Sequence, residues 1–294
     1  MSPIAVIEAP SILGLRPTGV ETLPDALLQA GLIGRLHARH AGRVVPGNAY
    51  SPSRDTTTLT LNAPGIASFS RKLADAVGAV VDRGEFPVVL GGDCSILLGD
   101  LLALKRRGRY GLLFVDGHAD FYSPEANPNG EAASMDLALA TGRGPDVLAN
   151  IEQRRPLVND EDAVAFGFRD GDEQAAYGSP PLPDQLLAFD LAAIRSRGVE
   201  AAARDAVAHL TRDDGPDGGF WIHVDADVLD DAIMPAVDYR LSGGLSWDEL
   251  TCALRHAIQS RRAVGLEVTI YNPTLDADRT GARELVRMIG QVLA

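Results

Sequence analysis

The sequence predicts an α/β protein, a three-layer α/β/α arrangement around a mostly parallel central sheet. Three observations predict it. Short apolar runs alternate with longer stretches of helical periodicity along the whole chain. Three of those runs end in Asp-containing turns, the kind of chemistry that α/β sheets carry at the carboxyl ends of their strands. No Pro-rich linker, repeat or low-complexity tract divides the 294 residues, so one domain over residues 1–294 is expected.

The elements follow in order. Residues 4–7 (Ile-Ala-Val-Ile) read as a strand, and 24–39 as a helix with Leu27, Leu28, Leu32 and Leu36 at helical spacing. A second helix is expected over 66–83, a strand over 87–90, a helix over 95–106 and a strand over 111–115. Residues 163–168 and 186–189 are further strands, and the Ala- and Arg-rich 192–210 reads as a helix. The last third repeats the alternation with strand 220–224, helix 246–259, strand 263–270 and helix 282–293. Ser246 with Glu249 three residues on is a capping box for the helix that follows.

Composition narrows the function. Hydrophobic residues are 46% and charged residues 23%, ordinary for a folded soluble chain and unlike a disordered one. The net charge is 27 − 40 = −13, which lacks the basic footprint of a nucleic-acid binder. No window approaches eighteen apolar residues, so no membrane span is expected. The start, Met1 to Glu8, has neither a basic segment nor a long apolar one, so no signal peptide is expected. With only Cys94 and Cys252, no disulfide framework is implied, and a cytoplasmic location is expected.

The three strand ends carry the chemistry. Strand 87–90 runs into Gly91-Gly92-Asp93-Cys94-Ser95, strand 111–115 into Asp116-Gly117-His118-Ala119-Asp120, and strand 220–224 into Asp225-Ala226-Asp227. All three should emerge on one edge of the sheet. Each motif alone is equally a polar turn that caps the next helix. Together, four carboxylates and an imidazole converging on one place would repel one another without a cation between them. They exceed the needs of one ion and suit two divalent cations sharing bridging carboxylates.

In this order the three segments resemble the arginase/agmatinase (ureohydrolase) family, whose patterns are G-G-D-H-S, D-A-H-x-D and S-x-D-x-D. Gly19-Val20-Glu21, Gly167-Phe168-Arg169-Asp170-Gly171-Asp172, Gly243-Gly244-Leu245-Ser246 and Leu266-Glu267-Val268 with Asn272-Pro273 resemble its other motifs, the last its E-V-N-P. The resemblance implies a fold shared with deacetylases and a homo-oligomer, trimer or hexamer. It also implies two divalent ions, in first place Mn²⁺, activating water to attack a guanidino carbon and release urea and an amine. Asp116 and Asp225 would bridge the ions, with His118 and Asp227 completing one position and Asp120 and Cys94 the other. Asp120 would also orient the nucleophile, Glu267 would pair with the guanidinium, and Asp172 would hold the amino group of a small-molecule guanidino substrate.

Several positions depart from that pattern. Cys94 stands where the family has a His ligand, and a thiolate shifts preference toward Zn²⁺, Co²⁺ or Fe²⁺; the alternative is a buried, unliganded thiol. The segment Gly130 to Asp136 has Ala133 or Ser134 where a His would protonate the leaving amine, and no His occurs between His118 and His209. A less basic leaving group, such as that of a hydroxylated arginine, would need less of that help. The stretch after Asp120 lacks the family's Asn-Thr. His223 stands at the Ser of the third motif and reads as a packing residue more than a partner of the metal site. Glu131 reads as loop surface, and Cys252, Trp221 and Trp247 as packing. His37, His40, His209 and His256 fall on expected helices. Gly117 for Ala reads as neutral. The rival readings are a one-zinc amidase on the same fold and a poorly active metal-binding structural paralogue.

Overall fold

The computed structural model describes residues 2–17 and 19–293. Its strands are β1 (Ile4–Ala9), β2 (Arg39–Arg43), β3 (Phe86–Gly91), β4 (Gly111–Val115), β5 (Ala163–Phe166), β6 (Leu187–Phe189), β7 (Phe220–Asp225) and β8 (Ala263–Thr269). They form one sheet in the order β2-β1-β3-β8-β7-β4-β5-β6. Every pairing is parallel, so the sheet is all-parallel where the sequence predicted mostly parallel.

Helices cover both faces, as buried apolar strands require. Val6, Leu90, Ile222 and Leu266 face a layer holding helices Leu23–Gln29, Val199–Leu210, Trp247–Gln259 and Thr280–Leu293. Residues one step along the strands, Ile7, Val89, Phe114 and Trp221, face a second layer holding helices Ala63–Val81, Leu97–Lys105 and Asp136–Ala140. The period of two along each strand sends alternate residues to opposite layers. That alternation decides where the polar residues at the strand ends point.

Two expected helices are broken. The one over 24–39 splits into Leu23–Gln29 and Leu32–Leu36, because Gly31 adopts φ +91°. His37 then turns left-handed and ends the helical stretch, and Arg39–Arg43 becomes β2. His37 and His40 therefore lie outside helices, with His40 Nε2 2.8 Å from Glu8. The helix over 192–210 divides at Gly198 into Leu191–Arg197 and Val199–Leu210. The capping box at Ser246 and Glu249 forms in both directions. No helix among the described residues is long and apolar enough to cross a membrane.

Candidate metal centre

The carboxyl ends of β3, β8, β7 and β4 lie side by side, and the three polar segments converge there. After β3, Asp93 caps a tight turn by accepting the N–H of Ser95 and that of Gly14. The turn buries Cys94, whose thiol donates to Asp225 Oδ2 at 2.8 Å. Asp225, last in β7, accepts the Asp227 N–H at 2.7 Å through its other oxygen. Asp116, just past β4, accepts the His118 N–H at 2.6 Å. His118 Nδ1 lies 2.9 Å from Asp227 Oδ2. Gly117 donates its N–H to Asp227 Oδ1 at 3.0 Å.

The donors fall into three groups, each with its ligand atoms within 4.8 Å of one another among the described residues: Asp116, His118 and Asp227; Cys94, Asp120 and Asp136; and Cys94, Asp116, His223 and Asp225. All of the metal-ligand candidates read from the sequence are thus brought together, and two residues given no metal role, Asp136 and His223, join them.

Burial sets the electrostatics. It pushes the Cys94 thiol well up, and the facing Asp225 adds to the effect. Burial and then neighbouring carboxylates push Asp120 and Asp225 well above the ordinary carboxylate range. Burial likewise raises Asp136. At Asp116 burial is outweighed by the His118 N–H and by the imidazoles of His118 and His223 beside it, and its carboxyl is held low. Burial opposes protonation of both imidazoles but is overcome, at His118 chiefly by Asp227 and at His223 by Asp116 and Glu267. Asp116 Oδ2, both oxygens of Asp136, Glu267 Oε2 and His223 Nε2 have no hydrogen-bond partner among the described residues. Buried polar atoms are normally satisfied, and acceptors gathered without donors fit a site for cations.

A cavity of about 500 Å³ opens above this cluster. Its floor includes Cys94, His118, Asp120, Asp225 and Asp227. Tyr122, Glu173, Tyr177, Arg240 and Ile270 stand in its wall, together with Ala133 and Ser134.

Two expected substrate contacts are elsewhere. Glu267 is buried on β8, bonded to His223 and facing Asp100, and does not line the cavity. The E-V-N-P pattern is contiguous, so setting it on Asn272-Pro273 puts its acid at position 270, which is Ile here. Ile270 is the residue that reaches the cavity, with φ +65°, an outlier for a β-branched side chain. Asp172 is exposed in the first turn of helix Gly171–Ala176, and the next residue, Glu173, lines the cavity instead.

Other readings also change. Glu131 is not surface: it is buried, accepting the Tyr239 hydroxyl at 2.6 Å beside Arg16. Trp221 is fully buried and Cys252 half-buried, as packing residues would be. His223 is not merely packed, since it contacts both Glu267 and Asp116. Its spacing carried the signal: two residues before Asp225 on a strand, it must share that residue's face. Gly117 is not interchangeable with Ala, because a Cβ there would lie 2.6 Å from the Asp227 carbonyl oxygen.

A parallel α/β sheet with buried carboxylates, imidazoles and a thiol gathered at its carboxyl edge, under an open cavity, defines a metal-dependent hydrolase. The comparisons give its family. The sequence model of the Arginase family matches residues 2–294, and the chain belongs to that family. The arginase of Bacillus caldovelox is 30% identical, the match covering 99% of this chain and 98% of that protein. The arginase of Staphylococcus aureus (strain COL) is 29% identical over 98% of this chain and 95% of its own. The native structure of the B. caldovelox enzyme superposes with a TM-score of 0.88 at 28% identity, covering 100% of this chain and 99% of that one. The chain is a hydrolase of C–N bonds in amidines, and arginase-family proteins use a binuclear metal centre.

Proposed function

We propose that residues 1–294 act as one catalytic domain, hydrolysing a linear guanidino compound to urea and an amine whose departing nitrogen is only weakly basic. The observation that carries this reading is the cavity wall. Its only imidazole among the described residues is His118, engaged with Asp227, while Ala133, Ser134 and Ile270 occupy positions where an acid or carboxylate would serve an alkylamine substrate. General acid help is worth about 10²–10⁴-fold, so its absence favours a nitrogen that departs without it. An oxygen substituent on that nitrogen, as in a guanidinooxy compound, lowers its basicity.

Asp116 and Asp225 would bridge two divalent ions, with His118 and Asp227 at one and Cys94 and Asp120 at the other. Such a pair would bring the pKa of a bound water toward neutrality and supply the nucleophile. Mn²⁺ is the family's usual ion, and the Cys94 thiolate also suits Zn²⁺, Co²⁺ or Fe²⁺. Asp120, on the cavity floor, would accept the nucleophile's proton and orient it toward the guanidino carbon. Glu173 and Arg240 would take the ammonium and carboxylate of an amino-acid tail, since each places an opposite charge in the wall. The water's oxygen joins the guanidino carbon, that carbon's bond to the departing nitrogen breaks, and the nitrogen leaves with a proton.

Product release by metal-loaded protein tests this, with arginine, agmatine, N-hydroxyarginine and the guanidinooxy analogue canavanine compared. Canavanine is expected to exceed arginine in kcat by about 10²-fold or more, scaled from the missing acid. Equal rates would overturn the leaving-group argument. Loss of all activity in Asp120→Asn is expected as well.

A further inference from the structure

We propose that His223 is a direct metal ligand, supplying from β7 the imidazole that the chain lacks at position 94. The inference rests on the binuclear reading above and goes beyond it by assigning a donor from another strand.

The strand register builds the arrangement. His223 pairs with Phe114 of β4 on one side and with Glu267 of β8 on the other. Its ring stacks on Phe114, with centroids 4.5 Å apart and planes 7° apart, which fixes the ring orientation. Nδ1 lies 2.8 Å from Glu267 Oε1, so the ring proton belongs on Nδ1, donated to that carboxylate. Nε2 then presents a lone pair. It has no hydrogen-bond partner among the described residues although the residue is fully buried.

Nε2 faces Asp116 Oδ2 at 3.6 Å, and that oxygen has no hydrogen-bond partner either. Two acceptors opposed in a dry interior are costly unless a cation lies between them. Donors around a tetrahedral ion with bonds of about 2.1–2.3 Å lie roughly 3.4–3.8 Å apart, so this gap fits. Cys94 and Asp225 bring their ligand atoms within 4.8 Å of the same two. One thiolate, one imidazole and two carboxylates thus stand together, and His223 joins the ion that Cys94 and Asp120 would hold. Glu267 takes the place that a carboxylate holds behind a metal-bound histidine, where it fixes the tautomer. This accounts for a Glu on β8 that never reaches the cavity.

Substitution with cobalt reads the assignment without reference to turnover. The wild type is expected to bind two Co²⁺ per chain, show a thiolate-to-cobalt band in the near ultraviolet, and carry a slowly exchanging, hyperfine-shifted ring N–H from His223 Nδ1. His223→Asn should bind one ion and lose the thiolate band, whereas His118→Asn should lose one ion and keep the band. Two ions and an unchanged band in His223→Asn would overturn the proposal. A wild type with one ion and no slowly exchanging shifted N–H would also overturn it, leaving His223 as an imidazolium in place of a metal. Should His223→Asn fail to fold, the N–H signal of the wild type decides alone. Absence of all cobalt binding would instead sink the metal-centre reading on which the proposal stands.

Discussion

Replacing Asp225 with Asn should make the chain more stable in chelator and less stable in metal. Asp225 and Asp116 belong to a donor group whose atoms all lie within 4.8 Å. Two full charges at that distance repel by 332/(20 × 4.8), about 3.5 kcal/mol at an effective dielectric near 20. Burial and its neighbours push the Asp225 carboxyl well up, while the Cys94 thiol and the Asp227 N–H that it accepts offset part of that repulsion. The expected gain in chelator is therefore about 1–3 kcal/mol, or roughly 2–6 °C for a chain of this size. Asn keeps one of the two local contacts, since its carbonyl oxygen can still accept the Asp227 N–H while its NH2 would face the Cys94 sulfur. In metal the order should reverse, because each ion at a hundredfold excess over its Kd stabilises by about 2.7 kcal/mol and the variant loses a bridging ligand. The pH dependence has a definite sign. A carboxyl raised in the folded state costs stability in full above its folded value, and the cost shrinks as pH falls below that value toward the unfolded pKa of about 3.9. The gap between variant and wild type in chelator should thus close on acidification. Urea denaturation with EDTA and with Mn²⁺, from pH 8 to 5, measures all of this. A variant less stable in both conditions would refute the charge argument.

Gly117→Ala should cost about 1–3 kcal/mol, because the new methyl meets the Asp227 carbonyl oxygen and the Arg169 guanidinium, each at 2.6 Å. Metal analysis should show weakened binding at the His118 and Asp227 position, and wild-type stability and metal content would show that the loop yields freely. Far from the site, Asp162 is held between Arg109 and Arg212, with contacts of 2.6 and 2.9 Å. Burial opposes ionisation there, but the arginines and Asn159 prevail and its pKa is lowered. Its contribution is present above the unfolded pKa of about 3.9 and is lost as pH falls through the lower folded value. Asp162→Asn should cost about 1–3 kcal/mol at pH 7, with the deficit narrowing below about pH 4. A deficit independent of pH in denaturation curves would show that charge is not its cause.

The sheet was legible because its inner strands are mostly apolar, interrupted by His223 in β7 and Glu267 in β8, and buried parallel strands are built that way. β2 was not, since Arg-His-Ala-Gly-Arg offers no apolar signal and is held to β1 by its backbone and by His40 and Arg43 on Glu8. Such charged outer strands blunt the exposed edge of a sheet. The ligand motifs were legible because each follows an apolar run directly. Asp136 was hidden because it lies in a short helix 16 residues beyond Asp120, and only tertiary packing brings the two together. His223 was undervalued because a polar residue inside a buried strand looks like an isolated exception until its cross-strand neighbours are known. Glu267 stands apart from the cavity because Thr269, Ile270 and Tyr271 separate Leu266-Glu267-Val268 from Asn272-Pro273, and Ile270 is the side chain that reaches it.

The sheet order also governs when the centre can exist. β7 and β8 lie in the middle of the sheet, between β3 and β4, yet they are the last strands to be synthesised. Cys94 and Asp225 are 131 residues apart, roughly 7–26 s of translation at 5–20 residues per second. During that interval the apolar edges of β3 and β4 have no neighbours, and the ligand set lacks its middle. The chain is thus exposed to misassociation until the two halves of the sheet are zipped together from within. A truncated product lacking its last quarter would be without Asp225, Asp227 and the strand that holds Glu267. Completion of the polypeptide is in this sense the step that licenses the centre to form.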